Sequence, residues 1–397
     1  MIQSVLVGAV VVLAWTMTAA RLERWQITAP MAMVAAGLAI GFTTRNDLGN
    51  GLNTEIALNA AELILALLLF VDATAVKGGY LGHDAKTAVR LLLIALPLTI
   101  LIVMGVGLLT LPGLGWAAVL LIACIIAPTD FAPATSVVHD VRVPERVRHL
   151  LNVESGYNDG VVAPVFIFAL TLAGSHHQAN TPGEALQAAI PAALLAVLAG
   201  SVIGAVAAVA MNVTGKHGWS TRHSARVAAV ALPLLTYTAA VAIGGNGFVA
   251  AFICGIAYKT ARHPGEEELG LAEDVSSLCG LLMWFVFGST AVLVLSFGLT
   301  WGIVLVSVVA LTVARLIPVL LALLRTDFRW KDRMTIGLLA PRGAASIVFG
   351  LLAFNSLDGE AADVALSVMS VTVLASVVAH GVGASAFLNR KSKRTLG

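Results

Sequence analysis

Residues 125–133 read Ile125-Ile126-Ala127-Pro128-Thr129-Asp130-Phe131-Ala132-Pro133, an apolar run that stops on a proline, a carboxylate and a second proline. Each proline removes a backbone donor and crowds the preceding turn, so a regular helix does not pass through this stretch. The flanks are those of a membrane span, because Asp130 is the one charged residue between 115 and 138. Backbone groups freed in lipid are tolerated only where they face protein or a wet cavity. The stretch therefore reads as an interrupted transmembrane helix with a charge at its break. A second stretch, Leu338-Leu339-Ala340-Pro341-Arg342-Gly343, repeats the apolar-Ala-Pro pattern 213 residues later and places an arginine in the kink. Asp130 suits the positive dipole ends of broken helices and Arg342 the negative ends.

Working outward, the composition belongs to a chain solvated by lipid. Hydrophobic residues fill 58% of 397 positions and charged residues 12%, against about 25% charged in soluble domains. Mean hydropathy is +0.92. Thirteen apolar segments lie at about 2–20, 26–43, 56–76, 88–110, 115–138, 148–173, 185–212, 224–243, 246–260, 273–296, 300–324, 334–354 and 361–388. The loops after odd-numbered spans, with the C-terminal tail, hold 21 of the 24 Lys and Arg residues, Lys77, Arg142 and Arg394 among them. The even loops hold one, Arg45, while Arg315 and Arg342 lie inside spans. The positive-inside rule then puts the odd loops and the C-terminus in the cytoplasm and the N-terminus outside. Residues 1–20 lack a basic leading region, so a retained first span of a cell (inner) membrane protein is expected rather than a cleaved signal. No soluble regulatory domain is expected. Basic residues scattered over many loops argue against a nucleic-acid surface. Cys124, Cys254 and Cys279 sit in apolar stretches without metal-ligand spacing, so no disulfide framework, zinc site or cofactor is expected.

The match between the two interrupted stretches has a companion. Leu67-Leu68-Leu69-Phe70-Val71 in span 3 resembles Leu282-Met283-Trp284-Phe285-Val286 in span 10, at an offset of 215. Spans 3 and 5 run inward while 10 and 12 run outward, which is the signature of inverted-topology repeats. The fold class expected is an all-α polytopic membrane protein with about 13 transmembrane helices. It forms a single transporter domain of two inverted repeats, about 2–173 and 224–388, joined by a connector span at 185–212. Their discontinuous helices cross near the midplane.

Ionisable residues inside a span cost at least a few kcal/mol each and are functional candidates by default. Span 6 reads Asn152-Val153-Glu154-Ser155-Gly156-Tyr157-Asn158-Asp159-Gly160. Ser155 and Asp159 share one helical face, i and i+4, and Glu154 and Asn158 share another. The first face offers a hydroxyl and a carboxylate, oxygen ligands suited to a small hard cation. A buried carboxylate with no fixed partner holds a proton more readily than one in water, and can exchange it for a cation. The second face suits an internal brace. Glu154 needs a positive partner, either Arg315 in span 11 or, as second choice, Arg342; otherwise it titrates itself. Asp72 suits an inner funnel or an interfacial position near Lys77. Glu62 reads as a buried, hydrogen-bonded helper. His139, His149, His217, His223 and His263 read as solvated, with a pH-sensing role open for His149. The Glu266-Glu267-Glu268 run reads as a solvated loop, and the Gly37/Gly41 and Gly200/Gly204 pairs as close helix packing.

Taken together, Glu154-Ser155, Asn158-Asp159-Gly160, Thr129-Asp130, Arg315 and Arg342-Gly343 resemble the electroneutral sodium/proton antiporters. These are the NhaP/NHE branch of the monovalent cation:proton antiporter superfamily, and the resemblance extends from about span 3 to span 12. It implies a thirteen-span homodimer with a mobile core domain that works by an elevator-like movement. It also implies that Asp159 binds a monovalent cation or a proton in alternation, assisted by Ser155, Thr129 and Asp130. Asn158 stands where the electrogenic branch has a second Asp, implying one-for-one exchange, and Glu154 is matched to the arginine on span 11. The sequence departs from the family pattern at Asp72, where many relatives place Glu. Gly156-Tyr157 also stands where Leu-Leu is usual, and Ala340-Pro341 where others have a Gly and an apolar residue.

Other classes fit less well. An alternative within transport is a sodium-coupled organic-anion carrier of related fold, which needs polar groups shaped for a larger substrate. An intramembrane protease needs Gly-x-Gly-Asp, Gly-x-Ser-Gly or His-Glu-x-x-His, none of which is present, so no enzyme is expected. A channel or passive sensor does not need titratable groups in broken helices.

Overall fold

The computed structural model describes residues 2–52, 55–76, 84–134, 143–174 and 181–393; Lys77, His139, Arg142 and Arg394 lie outside them. The described residues form sixteen α-helices in chain order. Spans 1 to 3 are α1 Ile2–Arg24, α2 Ala29–Leu52 and α3 Glu55–Ala75. Span 4 is α4 Ala85–Arg90 and α5 Leu96–Thr110, with a π-helical turn at Leu91–Ala95 between them. Span 5 is α6 Trp116–Ile126 and, past its break, a 3-10 turn at Ala132–Ala134. Spans 6 to 10 are α7 Glu145–Ala173, α8 Pro182–Lys216, α9 Arg222–Ala242, α10 Gly247–Arg262 and α11 Glu266–Phe297. Span 11 splits into α12 Trp301–Leu311 and α13 Val313–Ala322, and span 12 into α14 Trp330–Leu338 and α15 Ala344–Ser356. Span 13 is α16 Gly359–Lys393.

Each of the thirteen apolar segments thus contains helix among the described residues, spans 5 and 12 only in part. Nine helical stretches among the described residues are long and apolar enough to cross a membrane. The other four spans fall short for visible reasons. Spans 5 and 12 are interrupted, the apolar part of α2 is Ala29–Phe42, and α10 has 16 residues. The short α10 nevertheless has a firm start, because Asn246 Oδ1 accepts from the Phe248 and Val249 amides at 3.0 and 3.1 Å. The break in span 11 at Thr312 has no proline or glycine to announce it. There the Thr312 hydroxyl donates to the Val308 carbonyl at 2.6 Å, a back-bond that competes with the helix ladder and bends helices. The Glu266–Glu268 run is not a loop: it forms the first turn of α11, where negative charge suits the helix N-terminus. Glu268 there binds Arg262 at 3.0 Å through each of its two oxygens.

In lipid, helices associate by close packing rather than by the hydrophobic effect, and small residues let backbones approach. The two glycine pairs do this inside the chain. A Cβ at Gly37 of α2 would lie 2.2 Å from the Phe285 carbonyl of α11, and one at Gly41 2.6 Å from that of Ser289. On α8, the same construction at Gly200 and Gly204 meets the Ala250 and Cys254 carbonyls of α10 at 2.4 and 2.7 Å. Gly255 carries α10 on to α3, where a Cβ would stand 2.7 Å from the Phe70 carbonyl. Beside the interrupted spans, Phe166 of α7 stacks on Phe349 of α15 with ring centroids 4.4 Å apart.

Gly37→Ala forces apart two backbones with no flexible neighbour to yield, so a destabilisation of about 1–3 kcal/mol is expected. It should appear as a lower melting temperature in detergent. Gly105→Ala, where a Cβ meets nothing within 4 Å, should leave the melting temperature unchanged or raise it.

Candidate functional site

The interruptions of spans 5 and 12 meet and exchange bonds. Past the end of α6, the Asp130 amide donates to the Pro341 carbonyl at 2.9 Å. The Asp130 carboxylate accepts from two backbone amides, Ala132 at 2.8 Å and Ala344 at 3.1 Å. Ala344 is the first residue of α15, so this negative charge sits at a positive helix end. In the opposite sense, the fully buried Arg342 guanidinium gathers carbonyls at the ends of three helices. Nε donates to Ile126 at 2.5 Å, Nη1 to Ala340 at 2.8 Å and Nη2 to Ala310 at 2.9 Å. Ile126 closes α6, Ala310 lies in the last turn of α12, and Ala340 follows α14. Gly343 makes the approach feasible, since a Cβ there would lie 1.8 Å from Asp130 Oδ2.

α7 runs past this crossing and presents the span 6 motif to it. Asn158 does not brace α7 internally. Its Nδ2 reaches across to span 5 and donates to the Thr129 carbonyl at 2.7 Å and Oγ1 at 2.8 Å. Ser155 Oγ donates to the same carbonyl at 3.2 Å. Thr129, Ser155, Asn158 and Asp159 are therefore brought together at the break. Asp159 is 6% exposed, and no cationic side chain pairs with it among the described residues. Its Oδ1 and the Oδ1 of Asn158 are buried with no hydrogen-bond partner among the described residues. Asp72 and Asp130 are near enough to act on the Asp159 charge. Asp72, Asp130 and Ser155 are half-buried, so this edge of the cluster is open. A Cβ at Gly156 would stand 3.1 Å from the Asp72 carbonyl and from Val76, so the side chain that the family pattern has there would need α3 to give by a few tenths of an ångström.

Glu154 points to the other side of α7 and meets Arg315, not Arg342. The pair is bidentate, Nη1 to Oε1 and Nη2 to Oε2, the latter at 2.7 Å, with both side chains 2% exposed. Arg315 stands in the first turn of α13, so the Thr312 break in span 11 sets its position. Glu62, half-buried on α3, accepts from the Tyr237 hydroxyl at 2.7 Å and stays apart from the cluster. His149 lies 3.3 Å from Glu145 on the exposed start of α7. Sequence reasoning passed over Ser376 and His380 of α16, which touch the span 12 break. Their i,i+4 spacing was the available signal.

Chemically, the cluster offers hard oxygen donors around one buried carboxylate, beside charges that are already neutralised. Such a place holds either a proton or a small cation.

Comparison with known proteins identifies the family and the fold. The family model described as "Sodium/hydrogen exchanger, transmembrane" matches residues 8–390. A Na(+)/H(+) antiporter of Schizosaccharomyces pombe is 23% identical, covering 87% of this chain and 81% of its own length. The K(+)/H(+) antiporter NhaP of Alkalimonas amylolytica is 25% identical over 81% of this chain, which spans 54% of that protein. Among solved structures, the sodium proton antiporter MjNhaP1 of Methanocaldococcus jannaschii superimposes with a TM-score of 0.75. It is 19% identical and covers 96% of this chain and 99% of its own, which establishes the fold.

Glu154→Gln leaves Arg315 buried and unpaired, and should cost about 3–5 kcal/mol, whereas exchanging both partners for apolar residues should restore much of it. Thermal unfolding of the purified variants checks both. Gly343→Ala drives a methyl into Asp130, which separates the crossing. The expected result is a folded protein, by gel filtration, whose Ala344 amide has lost protection from hydrogen exchange.

Proposed function

This chain belongs to the sodium/hydrogen exchanger family, and we propose that it exchanges one monovalent cation for one proton across the cell membrane. Na+ is the leading cation, with Li+ and K+ as further substrates. The observation that carries the reading is the buried Asp159 carboxylate, whose Oδ1 has no partner among the described residues, while Arg315 and Arg342 are committed elsewhere. A bare carboxylate is costly at this depth, so Asp159 takes up either H+ or a cation and cannot hold both. That competition couples the two flows.

Each neighbour has a distinct part in the reading. Asn158 Oδ1, Ser155 Oγ and Thr129 Oγ1 supply further oxygens to a cation on Asp159. Asp130, whose two oxygens already accept backbone amides, favours a cation through its field. Asp72 lines the approach from the cytoplasmic side. Glu154 and Arg315 neutralise each other and hold α7 against span 11, and Arg342 closes the crossing. Asn158 is uncharged, so one exchangeable charge remains and the exchange is electroneutral. The fold consists of two inverted repeats, about 2–173 and 224–388 with a connector at 185–212, and the mobile core domain that carries the crossing and Asp159 moves like an elevator to expose the site alternately. The N-terminus lies outside, the C-terminus in the cytoplasm, and the working unit is a homodimer. The relatives named above lend no support to an organic-anion carrier.

The test is transport in liposomes containing a pH dye, pulsed in turn with Na+, Li+ and K+, with and without a potassium–valinomycin voltage clamp. Cation-driven pH change that ignores voltage, and that falls to the level of empty liposomes in Asp159→Asn, is expected. Persistence of exchange in that variant would sink the role given to Asp159. A response to voltage would sink the one-for-one stoichiometry.

A further inference from the structure

The break in span 12 parts a pair of backbone groups that a continuous helix would join. In an α-helix the amide of residue 342 would donate to the carbonyl of residue 338. Pro341 and the turn at Leu339–Gly343 pull them apart, and each is then an orphan polar group at membrane depth, where no water replaces the bond. Two side chains of α16 take them up. The Arg342 amide donates to Ser376 Oγ at 2.7 Å, and the Leu338 carbonyl faces His380 Nε2 at 3.2 Å. Ser376 and His380 are themselves i,i+4 neighbours, so they match the i,i+4 spacing of the pair they serve. With His380 Nε2 donating to Leu338, its Nδ1 accepts from the Ser376 hydroxyl at 3.3 Å, which ties the two side chains to each other. Both are buried, Ser376 at 0% and His380 at 8% exposed.

We propose that Ser376 and His380 are positioning residues that clamp the span 12 break by replacing its missing helical hydrogen bond. The clamp thereby holds Arg342 and Ala344 in register with span 5. The arrangement parallels that of span 5, where Ser155 and Asn158 of α7 bond the Thr129 carbonyl. The difference is that α7 also carries the open carboxylate, whereas α16 contributes support alone. Ala344, two residues beyond the clamped amide, donates to Asp130, so slack at residue 342 reaches the cation cluster through one bond. Cation affinity, rather than the maximal rate, is the quantity this should change. The transport part of this inference rests on the exchange reading above; the clamp itself does not.

The experiment compares Ser376→Ala, His380→Leu and His380→Gln with the unaltered protein in two assays. Hydrogen–deuterium exchange of the 338–344 segment, in detergent or nanodiscs, reads the clamp directly. Protection should fall by roughly tenfold in Ser376→Ala and His380→Leu, as loss of a hydrogen bond to a buried group implies. Protection should survive in His380→Gln, whose amide can still donate to the Leu338 carbonyl. In liposomes the apparent KM for Na+ should rise roughly fivefold to tenfold in the first two variants and return to within about twofold in His380→Gln, with the maximal rate little changed. Unchanged protection in both Ser376→Ala and His380→Leu overturns the clamp. Lost protection with unchanged KM overturns its role in positioning the cation cluster. If the unaltered protein moves no protons on any cation pulse, the exchange reading fails, and the protection data still decide whether the clamp exists. If His380→Leu does not fold, Ser376→Ala compared with His380→Gln decides both points: equal protection in the two overturns the clamp, and equal KM overturns the positioning role.

Discussion

A broken helix in lipid leaves backbone donors and acceptors that must find partners within the protein, and the architecture around spans 5 and 12 follows from that requirement. The two breaks solve it jointly. Span 12 supplies Arg342 to the helix ends of spans 5, 11 and 12. Span 5 supplies Asp130 to the amide that starts α15. Each charge faces the dipole end of opposite sign, so the cost of burying it is offset by groups that would otherwise be unsatisfied. Each break supplies partners that the other lacks. The crossing is a single unit made from segments more than 200 residues apart in the chain.

Once that unit exists, the charges around it divide into closed and open ones. Glu154 and Arg315 neutralise each other, Arg342 is saturated by carbonyls, and Asp130 accepts two amides. Asp159, like its chain neighbour Asn158, is left with a buried oxygen that has no partner among the described residues. In the proposed exchange this imbalance is the mechanism. Neutralised charges hold the frame, and one carboxylate, kept from water and from arginine, seeks a mobile cation or a proton. The neighbouring helices are packed through glycines instead of large side chains, as at Gly37 against Phe285 and Gly255 against Phe70. Such contacts suit a membrane, where tight backbone packing replaces the hydrophobic effect.

The sequence alone was enough for the number of spans, the places of the two charged breaks and the grouping of Ser155, Asn158 and Asp159 on one helix. Those follow from composition, from proline and from the helical repeat, all of which are local properties of the chain. Proline positions are legible because the missing amide is a covalent fact. Membrane segments are legible because hydrocarbon tolerates few charges.

What only the tertiary structure decided is which partner each group finds. Arg315 rather than Arg342 meets Glu154, since the unannounced bend at Thr312 brings the start of α13 to α7. Asn158 bonds span 5 instead of its own helix. Gly156 stands close against the Asp72 backbone, where a Cβ would lie 3.1 Å from its carbonyl. Ser376 and His380 acquire a role through a break on another span. A pattern in sequence declares that a buried polar group needs a partner. Which partner it meets depends on how helices distant in the chain are packed, because hydrogen bonds and ion pairs act over a few ångströms and are blind to position along the chain.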